Sequence, residues 1–109
     1  MSRITTHVLD TTMGKPATNV KVILEKKTDD LWSAVAKSAT DADGRCRDLI
    51  EEATEGLYRL TFHVGPYFAQ HKRTSLYPEI SVTFHCSGEA HYHLPLLLSD
   101  NSYTTYRGS

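Results

Sequence analysis

The sequence predicts an all-β sandwich or barrel. Two observations carry this prediction: short runs of alternating polar and apolar side chains recur along the 109 residues, and polar turn sequences separate them. A third observation is that almost no segment keeps a helical period. Regularly spaced short strands of this kind are typical of two packed sheets or of a closed barrel, and the length predicts a single domain over residues 1–109.

The first half of the chain contains four strand patterns. Residues 4–10 and 19–27 both alternate, and the second places Val20, Val22 and Leu24 on one face. A third strand is expected over residues 31–38, after a Thr-Asp-Asp turn. Residues 40–44 form a polar loop that ends in glycine, and a short strand is expected over residues 45–49.

The second half predicts four more strands and one helix. Strands are expected over residues 57–64, 79–86, 91–98 and 102–107, and a turn-prone Ser-Asp-Asn sequence precedes the last of them. Between the first two, residues 66–76 are expected to contain a short helix with proline in its first turn.

The alternation also assigns the histidines to faces. The strand over residues 91–98 carries on one face the expected core side chains Tyr92, Leu94, Leu96 and Leu98. His93 therefore points to the other face, and His7 and Tyr106 point outward from the first and last strands. The outward faces also carry Leu9, Pro95 and Leu97. Such a mixed surface indicates a face that another subunit covers and that lines a ligand site.

Composition and charge exclude several classes of protein. Twelve Lys and Arg against 13 Asp and Glu give a net charge of −1 without a basic run, so nucleic acid is not an expected partner. No apolar run reaches the roughly 20 residues that span a bilayer, so no membrane association is expected. The N-terminus lacks a secretory apolar region, which predicts a cytoplasmic protein with Cys46 and Cys86 as thiols.

Four segments carry a resemblance to a known family. They are His7-Val-Leu-Asp-Thr-Thr-Met-Gly-Lys-Pro-Ala, Asp43-Gly-Arg45, His91-Tyr-His-Leu-Pro-Leu-Leu-Leu-Ser and Tyr106-Arg-Gly-Ser109. Together they closely resemble the transthyretin-related 5-hydroxyisourate hydrolases over essentially the whole chain. The Tyr-Arg-Gly-Ser motif is the specific part, because transthyretin shares the sandwich but not that motif. The chain departs from the family at Asp100-Asn101, where a proline followed by an aromatic residue is usual.

The resemblance implies a fold, an assembly and a reaction. The fold is a transthyretin-like two-sheet antiparallel β-sandwich with one short helix. The assembly is a homotetramer, a dimer of dimers, with active sites in a channel at the dimer–dimer interface. The reaction is the hydrolysis of 5-hydroxyisourate to 2-oxo-4-hydroxy-4-carboxy-5-ureidoimidazoline in urate degradation. The family needs no metal and no cofactor, so neither is expected here.

Carried over by position, the resemblance implies catalytic roles for His7, Arg45 and His93, and substrate contacts for His7, Arg45, Tyr106 and Ser109. Hydrolysis of a cyclic amide needs a water molecule activated near neutral pH, which suits imidazole with its ordinary pKa of about 6.5. A planar, permanently charged guanidinium suits the developing oxyanion. Which imidazole is the general base stays open.

Other interpretations remain beside the hydrolase. A non-catalytic carrier of a small aromatic ligand would use the same channel, although small or apolar residues would suit it better than His93 and Tyr106. The i, i+2 spacing of His91 and His93 could chelate a metal, or His91 could simply flank the site. An immunoglobulin-like interaction module fits the fold class but leaves the histidines unexplained. The remaining histidines, which are expected to be structural, are His63, His71 and His85.

Overall fold

Strands dominate the chain, as expected. The structure, a computed structural model, describes residues 1–108, apart from the side chain of Asp48. In chain order its elements are β1 (Ser2–Asp10), β2 (Lys15–Pro16), β3 (Lys21–Thr28), β4 (Leu31–Ala39), β5 (Arg45–Ala53), β6 (Gly56–His63), α1 (Val64–Gln70), β7 (Ile80–Cys86), β8 (His91–Leu98) and β9 (Tyr103–Thr105).

The strands form two sheets that pack as a sandwich. One sheet has the order β2-β1-β8-β9, with β5 also paired to β1, and the other has the order β4-β3-β6-β7. Strands β1 and β8 run parallel, and the other paired strands run antiparallel. The predicted two-sheet sandwich with a short helix is confirmed, and the parallel β1–β8 pair is a detail that strand patterns alone do not indicate.

The core lies between the sheets, where the alternation predicts it. Val20, Val22 and Leu24 are fully buried, and so are Ile4 and Val8 of β1. Burying large aliphatic side chains contributes about 1.5 to 3 kcal/mol each to the free energy of folding. The further buried side chains, from β6, α1 and β8, include Tyr58, Leu60, Phe62, Phe68, Leu96 and Leu98. The face predictions for these strands are therefore confirmed.

The helix lies at Val64–Gln70 rather than over the predicted residues 66–76. Three side chains that share one buried face at helical spacing are Val64, Tyr67 and Phe68. Pro66 is tolerated because the N–H groups of the first turn have no partner inside a helix. The helix cannot continue through Lys72, because its φ of 56° is left-handed. No helix among residues 1–108 is long and apolar enough to cross a membrane.

Strand β5 extends to residue 53, beyond the predicted end at residue 49. Its pairing with β1 shifts register twice, so that Ile4 lies opposite Ile50 while Thr6 lies opposite Cys46. A bulge of this kind interrupts the period of two. The alternation therefore cannot be followed across it in the sequence. The two-residue strand β2 is also absent from the prediction, because two residues carry no period.

Strand β9 ends at Thr105, whereas the sequence predicts a strand as far as residue 107. The reason lies in the partner strand, where Pro95 has no N–H to donate to the ladder. Pairing resumes beyond the proline, where the N–H of Gly108 donates to the carbonyl of His93 at 2.8 Å. Tyr106 therefore lies just beyond the end of β9, in the stretch that the sequence predicts as strand.

Pro95 is buried within the single chain, which corrects the prediction that it lies exposed for a second subunit to cover. A Cβ added to Gly108 would approach its ring to 3.2 Å, so the chain's own C-terminal segment packs on it. Leu9 and Leu97, which lie opposite each other on β1 and β8, are half-buried.

A buried ion pair fixes the end of β1. The carboxylate of Asp10 accepts hydrogen bonds from Arg73 at 2.6 Å and from the Tyr67 hydroxyl at 2.7 Å. Arg73 also pairs with Asp100, the position where the family usually has proline. Burial alone would raise the pKa of Asp10, but the hydrogen bonds outweigh it and hold that pKa below its ordinary value. Burial and the neighbouring carboxylate raise the pKa of Tyr67 to about 12.

Candidate active site

The predicted site residues lie on three neighbouring strands of one sheet. His7 on β1 lies directly opposite Arg45 on β5. On the other side of β1, Thr5 lies directly opposite His93 on β8. Directly paired residues project from the same face of a sheet, and so do residues two apart in one strand. The sheet therefore brings His7, Arg45 and His93 together on its outer face.

A backbone carbonyl fixes the orientation of His7. Its Nε2 lies 2.8 Å from the carbonyl oxygen of Asp43, in the loop before β5. A carbonyl oxygen can only accept a hydrogen bond, so Nε2 of His7 must carry the proton. In the neutral ring the lone pair is then on Nδ1. The pairing of β1 with β5 thus sets both the position and the tautomer of this histidine.

Thr5 connects the two histidines of β8. Its hydroxyl oxygen lies 2.7 Å from Nε2 of His91 and 2.7 Å from Nδ1 of His93. The rings of these two histidines are tilted to each other, with centroids 6.0 Å apart. His91, whose role the sequence leaves open, therefore belongs to the same hydrogen-bonded group as His93.

The environment of His93 favours the neutral imidazole. Burial lowers the pKa of His93 below its ordinary value of 6.5, and the neighbouring Arg45, His91 and His7 lower it further. A neutral imidazole near pH 7 has a lone pair that can accept a proton. His93 is therefore suited to act as a general base at neutral pH.

Arginine side chains line the cavity beside these histidines. The cavity has a volume of about 190 Å³, and its lining residues are Arg3, Thr5, Thr6, Arg45, Arg47, His91 and His93. Arg47 is paired with Asp41 and Asp43. Arg45 forms no ion pair among the residues that the structure describes. Its guanidinium remains available for a carbonyl oxygen or an anion.

The C-terminal segment closes one side of the site. A Cβ added to Gly108 would lie 2.6 Å from Cδ2 of His93, so the backbone passes the imidazole at a distance that only glycine permits. A second cavity, of about 430 Å³, is lined by His91, His93, Tyr106, Arg107 and Gly108. Tyr106 is 52% exposed. Ser109 lies outside the described residues.

Arg107 anchors this segment to the sheet. Its guanidinium carbon lies 4.8 Å from the centre of the Tyr92 ring, within the range of a cation–π contact. The Tyr92 hydroxyl in turn accepts a hydrogen bond from the backbone N–H of Ser87 at 2.8 Å. In this position Arg107 stabilises the path of the chain past His93.

The other three histidines lie away from this cavity, and the structure shows no metal site among the described residues. His71 packs against Tyr67 with ring centroids 4.5 Å apart, and His63 and His85 lie on β6 and β7 of the other sheet. Within residues 1–108, no group of three or more His, Cys, Asp or Glu side chains is arranged to hold a metal ion. Metal independence of the activity stays a prediction.

The sequence did not single out Thr5 as a site residue. Its position two residues before His7 placed it on the correct face, but threonine is common in strands and carries no chemical signal by itself. The parallel pairing of β1 with β8 gives Thr5 its role, and no periodicity indicates that pairing.

Comparison with known proteins gives consistent results. The family model described as the HIUase/Transthyretin family matches residues 4–108 of the chain. The 5-hydroxyisourate hydrolase of Salmonella typhimurium is 47% identical over 109 residues, which cover 97% of this chain and 80% of that protein. The 5-hydroxyisourate hydrolase of Mus musculus is 40% identical over 113 residues, covering 99% of this chain and 96% of that protein.

Solved structures with the same fold include both hydrolases and transthyretins. The 5-hydroxyisourate hydrolase of Klebsiella pneumoniae superposes with a TM-score of 0.91 at 35% identity and covers all of both chains. Transthyretin from Sparus aurata superposes with a TM-score of 0.93 at 34% identity, covering 99% of this chain and 97% of that one. The backbone is equally similar to both, so only the side chains of the site can separate the two functions.

Proposed function

The chain belongs to the HIUase/Transthyretin family, and we propose that it is an enzyme that hydrolyses 5-hydroxyisourate. The observation that carries this proposal is the convergence of His7, His93 and Arg45 on one face of the sheet. The pKa of His93 is lowered by burial and by the positive charge of Arg45, so a neutral base lies beside a permanent cation. Relatives of 36–47% identity that carry the name 5-hydroxyisourate hydrolase support the same function.

The proposed reaction is attack of an activated water molecule on a ring carbonyl. The general base removes a proton from water, and the oxygen forms a bond to the carbonyl carbon. Arg45 stabilises the negative charge that develops on the carbonyl oxygen. The C–N bond of the ring then breaks, and the leaving nitrogen takes up the proton that the base removed from water. The carbonyl carbon becomes a carboxylic acid, which ionises to the carboxylate by releasing its proton to solvent. Tyr106 and Ser109 are proposed to orient the substrate ring.

The two imidazoles have different free nitrogens in this scheme. Nε2 of His7 is committed to the carbonyl of Asp43, so His7 acts through Nδ1. Nδ1 of His93 is committed to Thr5, so His93 acts through Nε2. The lowered pKa of His93 favours it as the base that accepts the proton of water. His93 then passes this proton to the leaving nitrogen, while the lone pair on Nδ1 of His7 accepts a hydrogen bond from an N–H group of the substrate.

The side chains of the cavity argue against a carrier. A carrier of an aromatic ligand gains affinity from apolar walls. This cavity instead has three arginines and two histidines among its lining residues. Donors and a base arranged in this way suit a carbonyl-rich substrate that changes charge during the reaction.

We propose that the enzyme is a homotetramer, a dimer of dimers. The strands β7 and β9 lie last in the order of their sheets and leave backbone groups unpaired there. The half-buried Leu9 and Leu97 lie on the site face. A second subunit would cover both features and close the open cavity. Sedimentation should give a tetramer, and a fully active monomer would contradict this assembly.

We also propose a cytoplasmic location. Cys86 is a buried thiol that forms no disulfide among the described residues. Proteins of reducing compartments keep such thiols. Cell fractionation with an antibody to the protein would test the location, and enrichment in a secreted fraction would contradict it.

The experiment that tests the proposed activity uses freshly generated 5-hydroxyisourate. Catalytic amounts of the protein should accelerate the disappearance of the substrate, followed by its ultraviolet absorbance, well beyond its spontaneous decay. Heat-denatured protein provides the control. If the decay is unchanged while calorimetry shows tight binding of an aromatic ligand such as thyroxine, the carrier is the better description.

A further inference from the structure

We propose that Thr5 is a positioning residue that fixes the reactive tautomer of His93. Its hydroxyl accepts a hydrogen bond from His93 and donates its one proton to His91. The inference rests on the proposed function for its catalytic meaning, since it assigns the nitrogen with which His93 acts. Its structural part, the tautomer itself, can be measured without substrate.

The geometry restricts how the three groups can bond. The hydroxyl oxygen of Thr5 lies at 2.7 Å from one ring nitrogen of each histidine, and Thr5 is only 5% exposed. A hydroxyl has one proton to donate and lone pairs that accept. Thr5 can therefore donate to at most one ring, so at least one ring must donate to Thr5.

The hydroxyl proton of Thr5 can lie toward either ring, which gives two arrangements. If both rings donate to Thr5 instead, Nδ1 of His93 carries a hydrogen as in the first of these two. In the first, Nδ1–H of His93 donates to Thr5, and the Thr5 hydroxyl donates to Nε2 of His91. Neutral His93 then has its lone pair on Nε2 and can accept a proton from water. In the second, every bond is reversed, and Nε2 of His93 carries a hydrogen. His93 is then a donor at Nε2 and cannot act there as a base.

The cavity favours the first arrangement. Its lining includes Arg45, whose guanidinium has donors but no acceptors and whose charge lowers the pKa of His93. A lone pair on Nε2 of His93 is stabilised by this neighbouring cation, whereas an N–H group there is disfavoured by it. The same positive surroundings contribute to the lowered pKa of His93.

The first arrangement also survives the proton transfer. When Nε2 of His93 takes the proton from water, one O–H bond breaks and one N–H bond forms. Nδ1–H continues to donate to Thr5, so no hydrogen bond in the Thr5 group has to reverse during the step. Such preorganisation lowers the barrier because the site does not rearrange as charge develops.

The test reads the tautomer directly by NMR. Protein labelled with nitrogen-15 in histidine is studied at pH 8, where His93 is neutral, and the two ring nitrogens are distinguished by their chemical shifts and proton couplings. The parent protein should show His93 protonated at Nδ1. This result is diagnostic, because an unconstrained neutral imidazole favours the proton on Nε2. A His93 protonated at Nε2 in the parent would overturn the inference.

Two variants separate the hydroxyl from the shape of the side chain. Thr5→Val keeps the shape but removes the hydroxyl, so the proton of His93 should move toward Nε2. The value of kcat should fall on the order of 10- to 100-fold, the range known for groups that orient metal-binding histidines. KM should change little, because Thr5 is almost fully buried and its hydroxyl is occupied by the two imidazoles. Thr5→Ser keeps the hydroxyl and should restore both the tautomer and most of kcat.

The matched control is Thr28→Val, which makes the same change at an exposed position of β3. It should leave the spectrum and the kinetics of the parent unchanged. If Thr5→Val also keeps the His93 tautomer, the positioning role is wrong. If the tautomer is as predicted but the parent does not hydrolyse 5-hydroxyisourate, the proposed function fails while the role of Thr5 in setting the tautomer stands.

Discussion

Gly108 passes His93 so closely that no side chain fits between them: a Cβ on Gly108 would lie 2.6 Å from Cδ2 of the imidazole. The backbone N–H of Gly108 donates to the carbonyl of the same histidine at 2.8 Å. The glycine therefore holds the Tyr-Arg-Gly-Ser segment against the site and limits the movement of the ring.

The first prediction concerns this contact. Gly108→Ala should displace the imidazole or the C-terminal segment and lower kcat/KM at least 10-fold, because small misplacements of catalytic groups are costly. Thermal unfolding should change little. Gly14→Ala is the matched control, since φ is 68° there but nothing lies within 4 Å. It should cost about 1 kcal/mol of stability and leave kcat/KM unchanged. Parental activity in Gly108→Ala would show that the close approach does not matter.

The second prediction concerns the charge of Arg45. Burial and Arg45 both lower the pKa of His93, because a positive neighbour disfavours the imidazolium. Arg45→Gln should therefore raise the pKa of His93, measured by NMR titration, and shift the acid limb of the residual activity to higher pH. Arg45→Lys keeps a charge and should preserve most of the pKa shift, but it should still lose activity because the planar fork is gone. If the pKa of His93 is unchanged in Arg45→Gln, the charge of Arg45 does not influence the protonation of His93.

The third prediction concerns the buried ion pair at the end of β1. Arg73→Leu leaves the fully buried Asp10 carboxylate without its cation and should lower the free energy of unfolding by about 3 kcal/mol.

The pKa of Asp10 is lowered in the folded state, so its contribution to stability is present above its ordinary pKa of 3.8 and is lost as the pH falls through the lower folded value. Urea unfolding should show a flatter acid limb in Asp10→Asn than in the exposed control Asp29→Asn. Identical acid limbs would contradict the linkage.

The fourth prediction concerns metal. If the imidazoles act as acid and base rather than as ligands, exhaustive dialysis against a chelator should leave kcat unchanged. Activity that disappears and returns only with added zinc would assign His91 and His93 to a metal site instead.

Much of the fold could be predicted from the sequence, because side chains in regular strands alternate with a period of two. That period correctly assigned the buried faces of β3, β6 and β8, and it placed His7 and His93 outward. The prediction from this period fails where the backbone departs from regular strand pairing. Because of the bulges between β1 and β5, the alternation does not indicate that β5 continues to residue 53. Pro95 interrupts the hydrogen-bonded pairing of β8 with β9, which ends at Thr105.

The site could be predicted only in part, for a related reason. The types of the histidines, arginine and tyrosine indicated chemistry, and the family resemblance gave them roles. Thr5 is chemically ordinary, and its importance comes from the parallel pairing that places it opposite His93. Contacts of that kind depend on strand order across the whole chain, which no local pattern contains.

The measurement that tests the central claim most directly is turnover of freshly generated 5-hydroxyisourate by His7→Asn and His93→Asn. Asparagine keeps much of the shape and hydrogen bonding of histidine but cannot accept the proton. At least one variant should lose on the order of 10² to 10⁴-fold in kcat, with unchanged assembly and with the acid limb near the histidine range lost or moved. His63→Asn, on β6 of the opposite sheet, should behave like the parent. If both site variants keep the parental rate and pH profile, histidine catalysis is wrong and the carrier becomes the better account.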